Sequence, residues 1–203
     1  MRILGIESSS LVASAAIYED GITMAEYTVD FKMTHSQTLL PMIDEMVKLV
    51  GIDLNTIDAI AVSGGPGSFT GLRIGSATAK GLGLALNKPL IHVPTLDAMA
   101  YNLYGCGERI CPIMDARRGQ VYTGIYRFED NTFRTLKEDC AIALEELLEE
   151  LAAAQEPPVT PVGEALNPAQ RTAAGASSKT VAVVAGPGTG KTTIIKCVLF
   201  VLT

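Results

Sequence analysis

The 203-residue sequence has no tryptophan, two histidines, four cysteines and 5% aromatic residues. With only His35 and His92, a serine–histidine–acid arrangement for acyl transfer cannot be assembled. A histidine metal pair at helical spacing is also missing, because the residue four places after His35 is Leu39. Cys106, Cys111, Cys140 and Cys197 form no C-x-x-C pair and have no histidine close by, which leaves zinc ligation unsupported and points to a reduced, cytoplasmic chain. No apolar run approaches the roughly 20 residues of a membrane span, and Glu7 interrupts the stretch where a secretory signal would need an apolar core. Positive charge is scarce too. Sixteen basic residues face 22 acids, a net charge of −6, which excludes a nucleic-acid binder that works through a broadly basic surface.

What is present is an apolar, weakly charged composition, 48% hydrophobic and 19% charged, sufficient for a sizeable core. Ile3–Glu7, Val12–Tyr18 and Thr23–Val29 read as three antiparallel strands. Leu39, Leu40, Ile43, Met46, Val47 and Val50 recur at helical spacing, with Ser36 as the expected cap and Gly51 as the stop. Ile57–Val62 reads as a buried parallel strand running into a glycine-rich loop, followed by a helix over about Gly71–Leu86. Leu90–Val93 predicts a further strand, and Thr95 caps a helix to about Leu103. Ile110–Met114 and Gln120–Phe128 predict a strand pair joined through Asp115–Gly119, with a helix over Glu145–Ala154. The order implies a mixed sheet covered by helices over 1–104, a second lobe over 105–154, a proline-rich linker over 155–165 and a separate segment over 166–203. The charge balance also turns over near the end: residues 151–203 hold Arg171, Lys179, Lys191 and Lys196 against Glu156 and Glu164, opposite in sign to the rest.

Four features could carry function. Gly71, Gly75, Ala79 and Gly83 form a stripe of minimal side chains four residues apart. Glycine inside a helix costs about 1 kcal/mol against alanine, so the stripe implies close approach of another element, within the fold or across a subunit boundary. The alternative is an anion cradle at the helix start. Ser8-Ser9-Ser10 could hold a phosphate or simply satisfy its own backbone. Arg117 and Arg118 at a hairpin tip could grip a carboxylate or a phosphate, or be merely solvated. Finally, Ala185-Gly186-Pro187-Gly188-Thr189-Gly190-Lys191-Thr192 has the pattern of a phosphate-binding loop, in which Gly186, Gly188, Thr189, Gly190, Lys191 and Thr192 would hold ATP and Mg²⁺. Only Thr193–Thr203 follow, too few for the strand that would bring a magnesium-anchoring acid.

The start Met1-Arg2-Ile3-Leu4-Gly5-Ile6-Glu7, the pair Thr34-His35-Ser36 and Leu39-Leu40-Pro41, the run Gly65-Pro66-Gly67-Ser68-Phe69-Thr70-Gly71-Leu72-Arg73-Ile74-Gly75, and Asp115-Ala116-Arg117-Arg118 together resemble the TsaB (YeaZ) family over about residues 1–150. The resemblance implies an α/β fold of the actin-like (ASKHA, ribonuclease H-like) type. It implies a noncatalytic subunit in the synthesis of threonylcarbamoyladenosine at position 37 of tRNA, with no cofactor of its own. It further implies binding to the catalytic TsaD, recruitment of the ATPase TsaE, indirect contact with tRNA and homodimers when alone. On that basis Gly71, Gly75, Ala79 and Gly83 are assigned to the subunit contact, and Gly75→Leu is expected to abolish it while leaving the chain folded. Leu166-Asn167-Pro168-Ala169-Gln170-Arg171 and the loop after it instead resemble the opening of a RecD-like helicase motor. This leads to the expectation of an incomplete second lobe followed by a P-loop fragment, and to the alternative of an ATP-binding helicase-type fragment with an accessory domain.

Overall fold

The computed structural model describes residues 1–30, 34–153, 159–163 and 183–184. One compact unit comprises Met1–Ala98, and a second begins at Met99.

The first unit is a five-stranded sheet in the order β3-β2-β1-β4-β5, formed by β1 (Arg2–Glu7), β2 (Ala13–Glu19), β3 (Ile22–Val29), β4 (Ala59–Ser63) and β5 (Leu90–Val93). β1, β2 and β3 are antiparallel, while β4 and β5 run parallel to β1. The parallel connections are made by α1 (His35–Val50) and α2 (Phe69–Leu86), because parallel strands need a long crossover, which a helix supplies. Leu4, Ile6, Ala13, Ala15 and Ile17 from the sheet, Leu39, Met42, Ile43 and Met46 from α1, and Ala79 from α2 make one buried core. Ile74, Leu82 and Leu86 pack on its border, so the apolar row beside the small-residue stripe is core.

Local chemistry sets the helix ends. α1 begins two residues earlier than expected: Thr34, not Ser36, is the cap, its N–H donating to Gln37 Oε1 at 3.3 Å. This is a capping box, and the glutamine three residues on decides between the two hydroxyls. Gly51 ends the helix with φ 68°. α2 is capped by Ser68, whose Oγ accepts the N–H of Gly71 at 3.2 Å, and is closed by Asn87 in the left-handed conformation.

The second unit holds a sheet in the order β10-β9-β6-β7-β8, made of β6 (Arg109–Arg117), β7 (Gln120–Glu129), β8 (Thr132–Ala143), β9 (Val159–Gly163) and β10 (Val183–Val184). α3 (Thr95–Tyr101) leads into it, and α4 (Leu144–Ala153) places Leu144 and Leu147 against Cys111, Ile113 and Val121. Tyr101, Tyr104, Tyr126, Phe128 and Phe133 make a chain of edge-on and stacked ring contacts, with centroids 4.8–5.4 Å apart. Sequence reasoning missed β8. It also assigned 155–165 to a linker, whereas Val159–Gly163 pairs in parallel with Arg109–Ile113 of β6. The prolines that suggested a linker mask a strand that is rich in β-branched residues. The sequence also predicts a short helical stretch capped by Asn167 and running to Ala174, which lies outside the described residues.

Candidate functional site

The carboxyl ends of β1 and β4 meet the start of α2, and the small-residue stripe explains how. Gly71, Gly75, Ala79 and Gly83 are all buried, on the face of α2 turned to the chain's own strands. A Cβ on Gly71 would lie 2.1 Å from the main-chain oxygen of Ser8, one on Gly75 2.1 Å from Ser8 Oγ, and one on Gly83 2.8 Å from a methyl of Leu90. No real side chain tolerates such distances. The assignment of these four residues to a subunit contact is therefore corrected: their lack of bulk admits the β1–β2 turn and β5 of the same chain. Gly75→Leu, expected to spare the fold, would drive a side chain into Ser8.

The main chain of the serine turn is held by bonds to its neighbours. The N–H of Ser68 donates to Ser9 O at 2.7 Å, and His35 Nε2 lies 2.8 Å from Ser10 O. The N–H of Ser8 donates to Ser63 Oγ at 3.3 Å, and the N–H of Val12 to Ser10 Oγ at 3.2 Å. The Glu7 carboxylate accepts the N–H of Ser9. Burial pushes the Glu7 carboxyl above its ordinary range, against the opposing pull of hydrogen bonds from Ser9, Ser63 and Ser8. These bonds satisfy much of the turn's main chain, while Ser8 Oγ is buried with no hydrogen-bond partner among the described residues. His92, the second histidine, lies across Gly64, where a Cβ would fall 1.7 Å from Nε2. Among the described residues, no group of three or more His, Cys, Asp or Glu is placed to hold a metal.

The opposite face of α2 has a different character. Phe69 and Leu84 are 74% and 86% exposed, and the Arg73 guanidinium lies 5.3 Å from the Phe69 ring centroid. Ala77, Lys80 and Gly81 are exposed between them, and nothing lies within 4 Å of a Cβ built on Gly81. Sequence reasoning missed this face because the inward glycines hold the stronger pattern. The available signal was the pair of large apolar residues, Phe69 and Leu84, left over once the core row is assigned.

In the second unit, Arg117 and Arg118 lie at the β6–β7 tip, as expected, and both are exposed. The ATP- and Mg²⁺-binding residues expected at Gly186, Gly188, Thr189, Gly190, Lys191 and Thr192 lie outside the described residues. No helix among the described residues is long and apolar enough to cross a membrane.

Comparison with known proteins places this geometry. Residues 30–175 match the family described as TsaD, tRNA N6-adenosine threonylcarbamoyltransferase, and residues 166–202 match the UvrD/REP helicase N-terminal domain. The chain is 34% identical over 157 residues to the tRNA threonylcarbamoyladenosine biosynthesis protein TsaB of Bacillus subtilis, covering 77% of this chain and 69% of that one. With the Escherichia coli protein of the same name it shares 36% identity over 152 residues, 74% of this chain and 65% of that one. It thus spans about two thirds of the length of these curated relatives. A Pseudomonas aeruginosa protein described as similar to the peptidase YEAZ superposes with a TM-score of 0.80 at 25% identity, covering 99% of this chain and 91% of that chain. YeaZ from the same organism superposes at 0.79 and 24% identity, covering 99% and 92%. The mixed sheets with covering helices are thus the actin-like fold shared with these structures, and the chain belongs to the TsaB (YeaZ) family.

Proposed function

We propose that the chain is a noncatalytic partner subunit in the synthesis of threonylcarbamoyladenosine at position 37 of tRNA, and that it docks on the TsaD transferase through the outer face of α2. The observation that carries this is the division of labour on that helix. Its inner face is consumed by the chain's own strands, while its outer face leaves Phe69 and Leu84 in water. Burying a large apolar side chain contributes about 1.5–3 kcal/mol, and Ala77 and Gly81 between the two anchors let a partner helix come close. Recruitment of the ATPase TsaE, indirect contact with tRNA, self-association of the isolated chain through the same face and a cytoplasmic location complete the proposal.

The test is titration of purified TsaD into the full chain and into Leu84→Glu. The variant should bind at least about thirtyfold more weakly, as expected for an interface anchor, with unchanged thermal stability because Leu84 packs against nothing internal. Equal affinity would refute the assignment.

The match of residues 166–202 to a helicase domain supports a second reading, in which the C-terminal segment binds ATP and Mg²⁺ with Lys191 on the phosphates. Fluorescent ATP should then bind the full chain, and Lys191→Ala should abolish that binding.

A further inference from the structure

Among the described residues, three two-residue hairpin loops have positive φ at both central positions, the geometry of a type I′ turn. Asp20-Gly21 joins β2 to β3 with φ 44° and 94°, Asp130-Asn131 joins β7 to β8 with 47° and 65°, and Arg118-Gly119 joins β6 to β7 with 54° and 75°. Asp, Asn and Gly are the residues that tolerate this conformation. Two of the three loops use nothing else. The third puts Arg118 there and precedes it with Arg117, also left-handed at φ 69°, so two long side chains are held in a strained backbone that the sequence avoids in its other turns.

The surroundings hold the backbone of the tip. The register slips between Asp115 and Arg117, a bulge that re-aims the tip. Asp115 Oδ1 accepts the N–H of Arg117 at 2.8 Å, and its Oδ2 lies 3.6 Å from Arg117 Nη1. The carbonyl of Gly119 accepts the N–H of Leu144 at 3.2 Å, which anchors the tip to the start of α4. Arg118 makes no ion pair among the described residues. Strain that persists under such support is a pointer to function.

We infer that the β6–β7 tip is a protein-docking finger whose Arg118 guanidinium receives a carboxylate of a partner subunit, with Arg117 locked by Asp115 to hold the tip in shape. A guanidinium offers a planar fork that matches a carboxylate through two parallel hydrogen bonds. RNA is the poorer occupant, because the chain carries a net charge of −6 and, with Arg117 paired to Asp115, the tip offers one unpaired guanidinium, a fork for a single carboxylate and not for a run of phosphates.

The inference rests on the proposed docking to TsaD and adds a second contact to it. Its test uses Arg118→Asn, which removes the guanidinium while giving the turn a residue better suited to it. Calorimetric titration of TsaD into the full chain should show affinity lower by about thirtyfold or more, with a melting temperature equal to or above that of the parent. Retention of tRNA in a gel-shift assay should not change. Undiminished TsaD affinity overturns the inference while the docking proposal stands, and so does a loss confined to tRNA retention. If the parent chain itself fails to bind TsaD, the docking proposal falls and this inference falls with it.

Discussion

The main-chain oxygen of Ser8 lies 2.1 Å from the point that a Cβ on Gly71 would occupy. A carbonyl fixed in a turn cannot rotate away as a side chain can, so the first turn of α2 is limited to glycine at that position. Ten residues on, Gly81 has open space at the same point. One helix therefore contains glycines retained for opposite reasons.

Replacing each by alanine separates them. Gly81→Ala should stabilise the chain by about 0.5–1 kcal/mol, the ordinary gain of a helix interior. Gly71→Ala gains the same propensity but forces overpacking worth about 1–3 kcal/mol, for a net loss of up to about 2.5 kcal/mol. Urea denaturation of the two variants beside the parent gives both numbers. A destabilised Gly81→Ala or a stabilised Gly71→Ala would contradict this account of the stripe.

Glu7 gives the fold a pH dependence of defined sign. Burial raises its carboxyl pKa above the reference value of 4.5, so the folded chain holds a proton that the unfolded chain has already released. Its contribution is fully present below the unfolded pKa and is lost as pH rises through the folded one. Stability of the parent relative to Glu7→Gln should fall as pH rises over that window and then level off. Denaturation midpoints of the two proteins across a pH series measure it, and a constant difference would remove Glu7 as the cause.

Much of the fold was legible in the sequence where burial imposes a period. β1, β2, β4, α1 and α2 were, because each turns a continuous apolar face to one core. β8 was not: it is an edge strand, largely exposed, and Lys137-Glu138-Asp139 interrupts the alternation that marks a strand. The stripe on α2 announced that something approaches closely, but the approaching group, Ser8, is more than sixty residues away, and local pattern cannot name it. The cap of α1 was misplaced by two residues because Thr34 and Ser36 are equally good hydroxyl acceptors for a helix N-terminus, and only the reach of Gln37 distinguishes them.

Cys111 provides a probe of the second unit. It is fully buried, its Sγ lies 3.2 Å from Thr123 Oγ1, and burial pushes its thiol up to about 11. A thiol that stays protonated and enclosed is unreactive. In a Cys197→Ser background, a thiol reagent at pH 8 should modify Cys106 and Cys140, both partly exposed, and reach Cys111 only after denaturant is added. Peptide mapping by mass spectrometry distinguishes the three sites, and rapid native labelling of Cys111 would show that α4 does not seal this face.

In the proposed arrangement the demands of the interior and of assembly fall on opposite sides of α2, so mutation can explore one without damaging the other. A lineage can exchange Phe69 or Leu84 and so change its companion while its architecture survives, whereas drift at Gly71 is purged before any companion is met. Divergence among related chains should accordingly concentrate along a single flank of this helix.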